Sequence, residues 1–220
     1  QSLVRDGAAT PSRGAECAAT HRSVLPWPRW PIAAESRAVT KSATAPRRSR
    51  RIVVRHRPGA PAHLGLLSVG ALHLPCTLGR AGLTRFKREG DGATPVGRFE
   101  LLFGHWRADR GPPPGGPLRL TPIRPDDGWC DDVGDGRYNR PVRRPFAGSH
   151  EAMYRDDPLY DVVIVLDANV RRRVIGRGSA IFFHLARAGH EPTAGCVALA
   201  TADMRRVLAH LGPRPVMVIG

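Results

Sequence analysis

The sequence has 220 residues, enough for one domain with a substantial core. It carries 34 basic and 19 acidic residues, a formal net charge of +15, with only 6% aromatic residues. Scattered arginines with so few rings argue against a single-strand nucleic-acid-binding module, and no apolar run is long enough to cross a membrane. The charge leaves two explanations open, attraction to an acidic polymer or an arginine-rich coding bias.

The first fifty residues differ from the rest. They are rich in Ala, Ser, Thr, Pro and Arg, show no hydrophobic periodicity and end in a run of arginines. This composition is typical of a disordered or poorly ordered tail. No signal-peptide pattern is visible. We predict a tail over 1–50 and a globular domain over 51–220.

The domain begins with short apolar runs that favour β-strands over long helices. We predict strands at 52–54, 65–69, 71–76, 97–103, 118–121, 159–166, 180–183 and 216–219. Gly-, Pro- and Asp-rich stretches predict long loops over 104–117 and 123–150, and loops of that length are commonly functional.

One helix is predicted over 201–211, because apolar residues recur there with helical spacing. Thr201 is its expected N-cap and Gly212 its expected stop. A second short helix is predicted over 151–154.

The four cysteines are Cys17, Cys76, Cys130 and Cys196. None belongs to a Cys-x-x-Cys pair, so we expect no structural zinc site. Cys76 and Cys130 are expected to be packing residues, with a disulfide between them as the alternative in an exported protein.

A cysteine and a histidine stand in a suggestive order near the C-terminus. A predicted strand ends in His184, a loop follows, and the small-residue turn Thr193–Ala194–Gly195 leads into Cys196. A neighbouring imidazole can take the proton of a thiol and create a nucleophile. Glycine lets backbone N–H groups come close to an oxyanion. A buried structural cysteine would give the same pattern, so spacing alone leaves catalysis open.

Two blocks resemble the L,D-transpeptidase catalytic domain family, also called YkuD-like. In the first, Phe183-His184 is followed by Thr193-Ala194-Gly195-Cys196-Val197. In the second, residues 91–99 (Asp-Gly-Ala-Thr-Pro-Val-Gly-Arg-Phe) are similar to the family's Thr-Pro-x-Gly-x-Phe segment. The flank Lys87-Arg88-Glu89-Gly90 resembles one bacterial branch. The resemblance extends over about 52–220.

The resemblance implies a mainly β fold, an L,D-transpeptidase β-sandwich with long loops and one or two short helices. It implies that Cys196 is the nucleophile, His184 the general base and acid, and Gly195 part of the backbone near the oxyanion. The reaction would join peptidoglycan stem peptides by 3–3 crosslinks through an acyl-enzyme, in the periplasm or cell envelope. No metal or organic cofactor and no nucleic-acid partner are implied.

Further residues are expected to bind substrate: Thr193 and Ala194 in the turn, and Tyr138, Asn139 and His150 in or beside the long loop.

Two positions depart from the family's common pattern. Ala194 stands where many members have His, and Ala198 where many have Arg; Arg187 or Arg177 could take over the role of that Arg. The departures concern acceptor choice, so an L,D-carboxypeptidase or another cysteine peptidase or amidase is the alternative. A third possibility is a basic wall- or nucleic-acid-binding module with a vestigial site.

Overall fold

The computed structural model describes residues 48–220, so the predicted tail over 1–50 lies outside the described residues except at its last positions. The first strand begins at Ser49. The described elements, in chain order, are β1 (Ser49–His56), β2 (Leu64–Val69), β3 (Leu72–Thr77), β4 (Leu83–Thr84), β5 (Thr94–Pro95), β6 (Gly97–Trp106), β7 (Leu120–Pro122), β8 (Asp127–Cys130), β9 (Arg140–Arg143), β10 (His150–Ala152), β11 (Val162–Leu166), β12 (Phe182–Leu185), β13 (Val197–Leu199), α1 (Thr201–His210) and β14 (Leu211–Ile219).

The largest sheet closes on itself. Its strand order is β11-β12-β13-β3-β2-β1-β14-β6-β7, and β11 also pairs with β6. These pairings join eight strands into a ring, with β7 attached to β6. The pairs β1–β14 and β12–β13 are parallel. The predicted neighbours β2 and β3 form an antiparallel hairpin around Gly70, as expected.

The interior of the ring is the main hydrophobic core. Alternate residues such as Ile52 and Val54 of β1 point inward and are fully buried, as the period of two along a strand requires. Met204, Val207 and Leu208 of α1 join the same cluster. Each such side chain contributes about 1.5–3 kcal/mol through burial, so the helix is bound to the ring by its apolar stripe.

A second layer covers the outer face of β11 and β12. It consists of the three-stranded sheet β10-β8-β9, whose Trp129 packs edge-on against Phe182 at 5.2 Å between ring centroids. All five residues of β11 are buried: Ile164 faces the ring interior, and Val163 and Val165 face the second layer. The mainly β, sandwich-like fold expected from the sequence is confirmed.

Several local predictions are wrong. Residues 150–152 form β10 instead of a helix, because Glu151 pairs with Trp129 of β8 and this pairing overrides local preference. The expected loop over 123–150 contains β8 and β9, and β6 runs on to Trp106 because β11 pairs with it.

The ends of α1 also differ from prediction. Ala200, not Thr201, is the N-cap, and no side chain caps the helix. The helix ends at His210, and Leu211 already begins β14, where it is fully buried in the core.

Cys76 and Cys130 are separate buried thiols in β3 and β8, not a disulfide. Burial raises the pKa of Cys76 to about 12.

Within residues 48–220, no helix is long and apolar enough to cross a membrane, and no group of three His, Cys, Asp or Glu side chains could hold a metal ion.

Candidate active site

Cys196 and His184 are brought together by two adjacent parallel strands. Cys196 directly precedes β13, whose Ala198 lies beside His184 of β12. Phe183 and Val197 point into the ring, so the alternation of side chains sends His184 and Cys196 outward. There both line one cavity of about 420 Å³. They are only 6% and 8% exposed, so the cavity reaches groups that are nearly removed from water.

The imidazole of His184 is held as one tautomer. Its Nδ1 lies 2.8 Å from the Leu185 carbonyl oxygen. A carbonyl can only accept, so Nδ1 carries the proton and Nε2 is left as the acceptor of the neutral ring. Tyr160 packs edge-on against the ring at 5.4 Å. Burial lowers the pKa of His184 to about 4, so the ring is an uncharged base at neutral pH.

The thiol of Cys196 rests on backbone groups of the preceding strand region. It donates to the Ala180 carbonyl oxygen at 3.2 Å and accepts from the Phe182 N–H at 3.3 Å. Burial raises the pKa of Cys196 to about 12, with the Phe182 N–H acting in the opposite direction. The resting site therefore holds a protonated thiol and a neutral imidazole.

The turn before Cys196 is tied by hydroxyl groups. The Gly195 N–H donates to Thr193 Oγ1 at 3.1 Å, and that hydroxyl donates to the Cys196 carbonyl oxygen at 2.8 Å. Thr94, from the second sequence block, donates to the same carbonyl at 3.4 Å. Gly195 has φ +140°, and a Cβ there would lie 2.8 Å from the Ala93 carbonyl oxygen. Only glycine fits this close approach.

The predicted substrate-binding residues divide into two groups. Thr193 and Ala194 line the cavity. The structure does not bring Tyr138, Asn139 or His150 to it. Tyr138 and Asn139 are fully buried, and His150 lies on β10 with Nδ1 against the Gly148 carbonyl oxygen.

Asn139 instead lies one layer behind Cys196. Its Oδ1 accepts from Trp129 Nε1 at 2.8 Å and from the Ala180 N–H at 3.1 Å. Its Nδ2 donates to the carbonyl oxygens of Ala168 and Asn169 at 3.3 and 2.6 Å. Ala180 has φ +50°, a conformation costly for a residue with a Cβ, and its carbonyl receives the Cys196 thiol. The Asn139 side chain thus fixes the Ala180 backbone, which in turn accepts the hydrogen bond of the Cys196 thiol.

Charged side chains line the cavity, and the sequence analysis had given a functional role only to Arg187 among them. The cations are Arg80, Lys87, Arg155 and Arg187, and the anions are Glu89, Asp131, Glu151 and Glu191. Arg187 is one of the two arginines expected to compensate for Ala198; Arg177 is not among the lining residues. Two of these residues, Lys87 and Glu89, belong to the segment 87–90 that resembles one bacterial branch of the family, and this resemblance was the sequence signal that could have identified them.

Arg155 is the most strongly held of these cations. Its Nη1 donates to Glu151 at 2.8 Å, and its Nε and Nη2 donate to Asp157 at 2.8 and 2.7 Å. The guanidinium also lies 5.2 Å above the Tyr160 ring. Because these contacts fix its position, Arg155 presents a rigid positive charge at the cavity wall.

The family model described as the YkuD L,D-transpeptidase catalytic domain matches residues 65–219. This range holds both sequence blocks, the ring from β2 onward and the Cys196–His184 cavity. The chain belongs to the YkuD family of L,D-transpeptidase catalytic domains. No curated protein and no solved structure matches the chain. The L,D-transpeptidase domain is that of a cysteine-based enzyme acting on peptidoglycan peptides.

Proposed function

We propose that this L,D-transpeptidase domain forms 3–3 crosslinks between peptidoglycan stem peptides, with Cys196 as nucleophile and His184 as base. One observation carries the proposal. The two side chains open into a single cavity from neighbouring parallel strands, and the Leu185 carbonyl leaves Nε2 of His184 as a proton acceptor.

The first half-reaction transfers an acyl group to the enzyme. The thiol turns from the Ala180 carbonyl and gives its proton to Nε2 of His184. The Cys196 sulfur attacks the carbonyl carbon of the third stem residue. The backbone N–H groups of Ala194 and Cys196 stabilise the oxyanion, since those of Thr193 and Gly195 already donate to the Leu78 carbonyl oxygen and to Thr193 Oγ1. The C–N bond to the terminal D-Ala then breaks, and His184 returns the proton to the leaving amine.

The second half-reaction restores the enzyme. The side-chain amine of another stem attacks the thioester, His184 takes its proton, and the Cys196 sulfur leaves to become a thiol again. The product is an amide between two third-position residues. If water attacks instead, the product is a shortened stem and the reaction is an L,D-carboxypeptidase reaction.

The charges of the cavity support a zwitterionic peptide substrate. Among the described residues Arg80 and Glu89 have no ion-pair partner, so Arg80 offers a site for a peptide carboxylate and Glu89 offers a site for an ammonium group. Such a substrate is present in the cell envelope, and we place the enzyme there.

A covalent probe tests the nucleophile first. A carbapenem carries a strained carbonyl that mimics the acyl donor, so incubation should add one probe mass to the intact protein. We expect the adduct in wild type and in Cys76→Ala, because Cys76 is a buried packing residue, and its absence in Cys196→Ala. A folded wild-type protein without an adduct would refute an activated Cys196.

Stem peptides then separate transfer from hydrolysis. A tetrapeptide stem supplied as donor and acceptor should give a crosslinked dimer plus D-Ala, detected by mass spectrometry. His184→Gln should lose both products while staying folded. A wild-type reaction giving only the tripeptide and D-Ala would make the enzyme a carboxypeptidase.

A further inference from the structure

A second concave region lies on the far side of the strand ring from the nucleophile. It has a volume of about 370 Å³ and is lined by Val216 and four arginines, Arg50, Arg51, Arg98 and Arg214. Its central strand, β14, is four pairings from β13 in either direction around the ring. We call these four residues the arginine patch. It shares no residue with the cavity of Cys196.

The patch arises from strand register. Arg51 pairs with Val216, and Val216 pairs in turn with Glu100. Two positions along, Val218 pairs with Arg98. The inward residues Met217 and Ile219 are buried in the core, so these partners all point outward.

A bulge adds the remaining arginines. β1 and β14 change register between Ser49–Leu211 and Arg51–Val216, so residues 212–215 of β14 bulge opposite Arg50. Arg214 lies in this bulge, between two prolines, with φ +52°. A left-handed conformation is unfavourable for a residue with a Cβ and often marks a functional position. Here it leaves the Arg214 side chain exposed on the patch.

The patch arginines form no close ion pair within the described chain, but one carboxyl lies on the same face: the pKa of Glu100 is lowered by its hydrogen bond to Arg171 and, to a smaller extent, by the charge of Arg214. None of the four arginines forms an ion pair with residues 48–220, whereas Arg107, Arg110, Arg143, Arg155 and Arg171 all do. Glu100, on the same outer face, is paired with Arg171 at 2.6 Å. Grouped like charges repel each other, and a bound anion would remove that repulsion.

We propose that the arginine patch binds a flexible polyanion built of phosphodiester groups. A guanidinium group can donate two parallel hydrogen bonds to the oxygens of one phosphate, and several guanidinium groups can bind the same phosphate. From Arg50 to Val53, which pairs with Val218, the patch extends three residues along β1, roughly 10 Å at about 3.3 Å per residue. That length exceeds one phosphate and fits successive groups of a chain.

The same surface is unsuited to bases. Single-stranded nucleic acids are held by stacking on aromatic rings, and the outward strand neighbours of the patch, Val53, Val216, Val218 and Glu100, include no ring. A polymer bound at the patch leaves the opposite cavity open. The patch would therefore tether the enzyme to an anionic polymer while Cys196 faces its peptide. The inference does not rest on the proposed function.

Binding of a fluorescent glycerol-phosphate oligomer to the full 220-residue chain tests the patch. The patch variant combines Arg50→Gln, Arg51→Gln, Arg98→Gln and Arg214→Gln. A control with the same net charge change combines four other exposed arginines outside the cavity, Arg57→Gln, Arg119→Gln, Arg124→Gln and Arg172→Gln. Both variants should unfold at the wild-type temperature in a thermal melt followed by circular dichroism, which shows, independently of the proposed activity, that the fold is intact.

We expect the patch variant to bind at least about tenfold more weakly and the control within about twofold of wild type. The slope of log affinity against log salt should fall by about three in the patch variant, since each neutralised phosphate contributes on the order of 0.7 for a single-stranded polyanion. An equal loss in the control would overturn the site. Equally tight binding of polyglutamate would overturn the phosphate preference. Tighter binding of a thymidine oligonucleotide of equal charge would show that the ligand of the patch is a nucleic acid and overturn the proposed polymer.

Discussion

Asn139 holds Ala180 in a left-handed backbone conformation through the 3.1 Å hydrogen bond from the Ala180 N–H to its Oδ1. The carbonyl of Ala180 in turn receives the Cys196 thiol. A fully buried amide on one layer is therefore linked, through Ala180, to the position of the Cys196 thiol on the other layer. This relationship makes Asn139 a positioning residue of the site.

Replacement of Asn139 tests this link. Asn139→Ala leaves the Trp129 indole N–H, the Ala180 N–H and two carbonyls without their partner, and each unsatisfied buried group costs about 1–3 kcal/mol. We expect a clear drop in the free energy of unfolding and slower carbapenem acylation of the molecules that remain folded. Asn169→Ala removes similar amide bonds to Val174 and Gly178. If it slows acylation as much as Asn139→Ala, the link through Ala180 is not specific.

Gly195→Ala should lower stability and acylation rate by more than the strain of its backbone conformation alone would. At φ +140° a Cβ would meet the Ala93 carbonyl oxygen at 2.8 Å. Gly111 is a matched control, because its φ is +139° and a Cβ there has open space. Strain of this kind costs about 1–3 kcal/mol, so Gly111→Ala should lower stability modestly and leave acylation intact. We expect Gly195→Ala to lower stability further and to slow acylation at least tenfold. Similar thermal and kinetic losses in the two variants would show that contact with Ala93 is unimportant.

The buried imidazole predicts sensitivity to acid. The unfolded chain binds a proton at His184 below about pH 6.5, whereas the folded protein resists protonation down to about pH 4. Above pH 6.5 the buried neutral His184 therefore does not lower the free energy of unfolding. As the pH falls from 6.5 toward 4, that free energy drops by roughly 3 kcal/mol, because only the unfolded chain binds the proton. His184→Gln should therefore show a shallower decline in urea-unfolding free energy over that range. Parallel declines for the two proteins would contradict a buried neutral His184.

Lys87 is expected to tune the nucleophile. Its ammonium, paired with Asp91, lies at the cavity near Gly195, and its charge lowers the pKa of Cys196 against the larger effect of burial. Lys87→Met should shift the pH dependence of iodoacetamide labelling at Cys196 to higher pH. Lys87→Arg should restore most of the difference, and Arg88→Met, at an exposed neighbour outside the cavity lining, should leave it unchanged. A labelling profile that does not move in Lys87→Met would exclude an electrostatic role.

Much of the fold could be predicted from local pattern. The alternation in β1, the β2–β3 hairpin and the apolar run of β11 follow from the spacing of apolar side chains, because a strand has one period and its faces must match the core. β10 could not be predicted in this way. Residues 150–152 carry no strong strand preference, and they become a strand because β8 lies beside them.

The sequence by itself determined the family of this protein, through a histidine-ended strand, a Thr-Ala-Gly turn and Cys196 in an order that resembles the YkuD family. Those residues are close in the chain, and a strand, a loop and a glycine turn between them restrict where they can meet. The tertiary structure alone decided which distant side chains surround them. It buried Asn139 behind Ala180, placed Arg155 and Lys87 at the cavity, and gathered Arg51, Arg98 and Arg214 on the opposite face. Strand register and the packing of layers set such neighbours, and both depend on contacts between residues far apart in sequence.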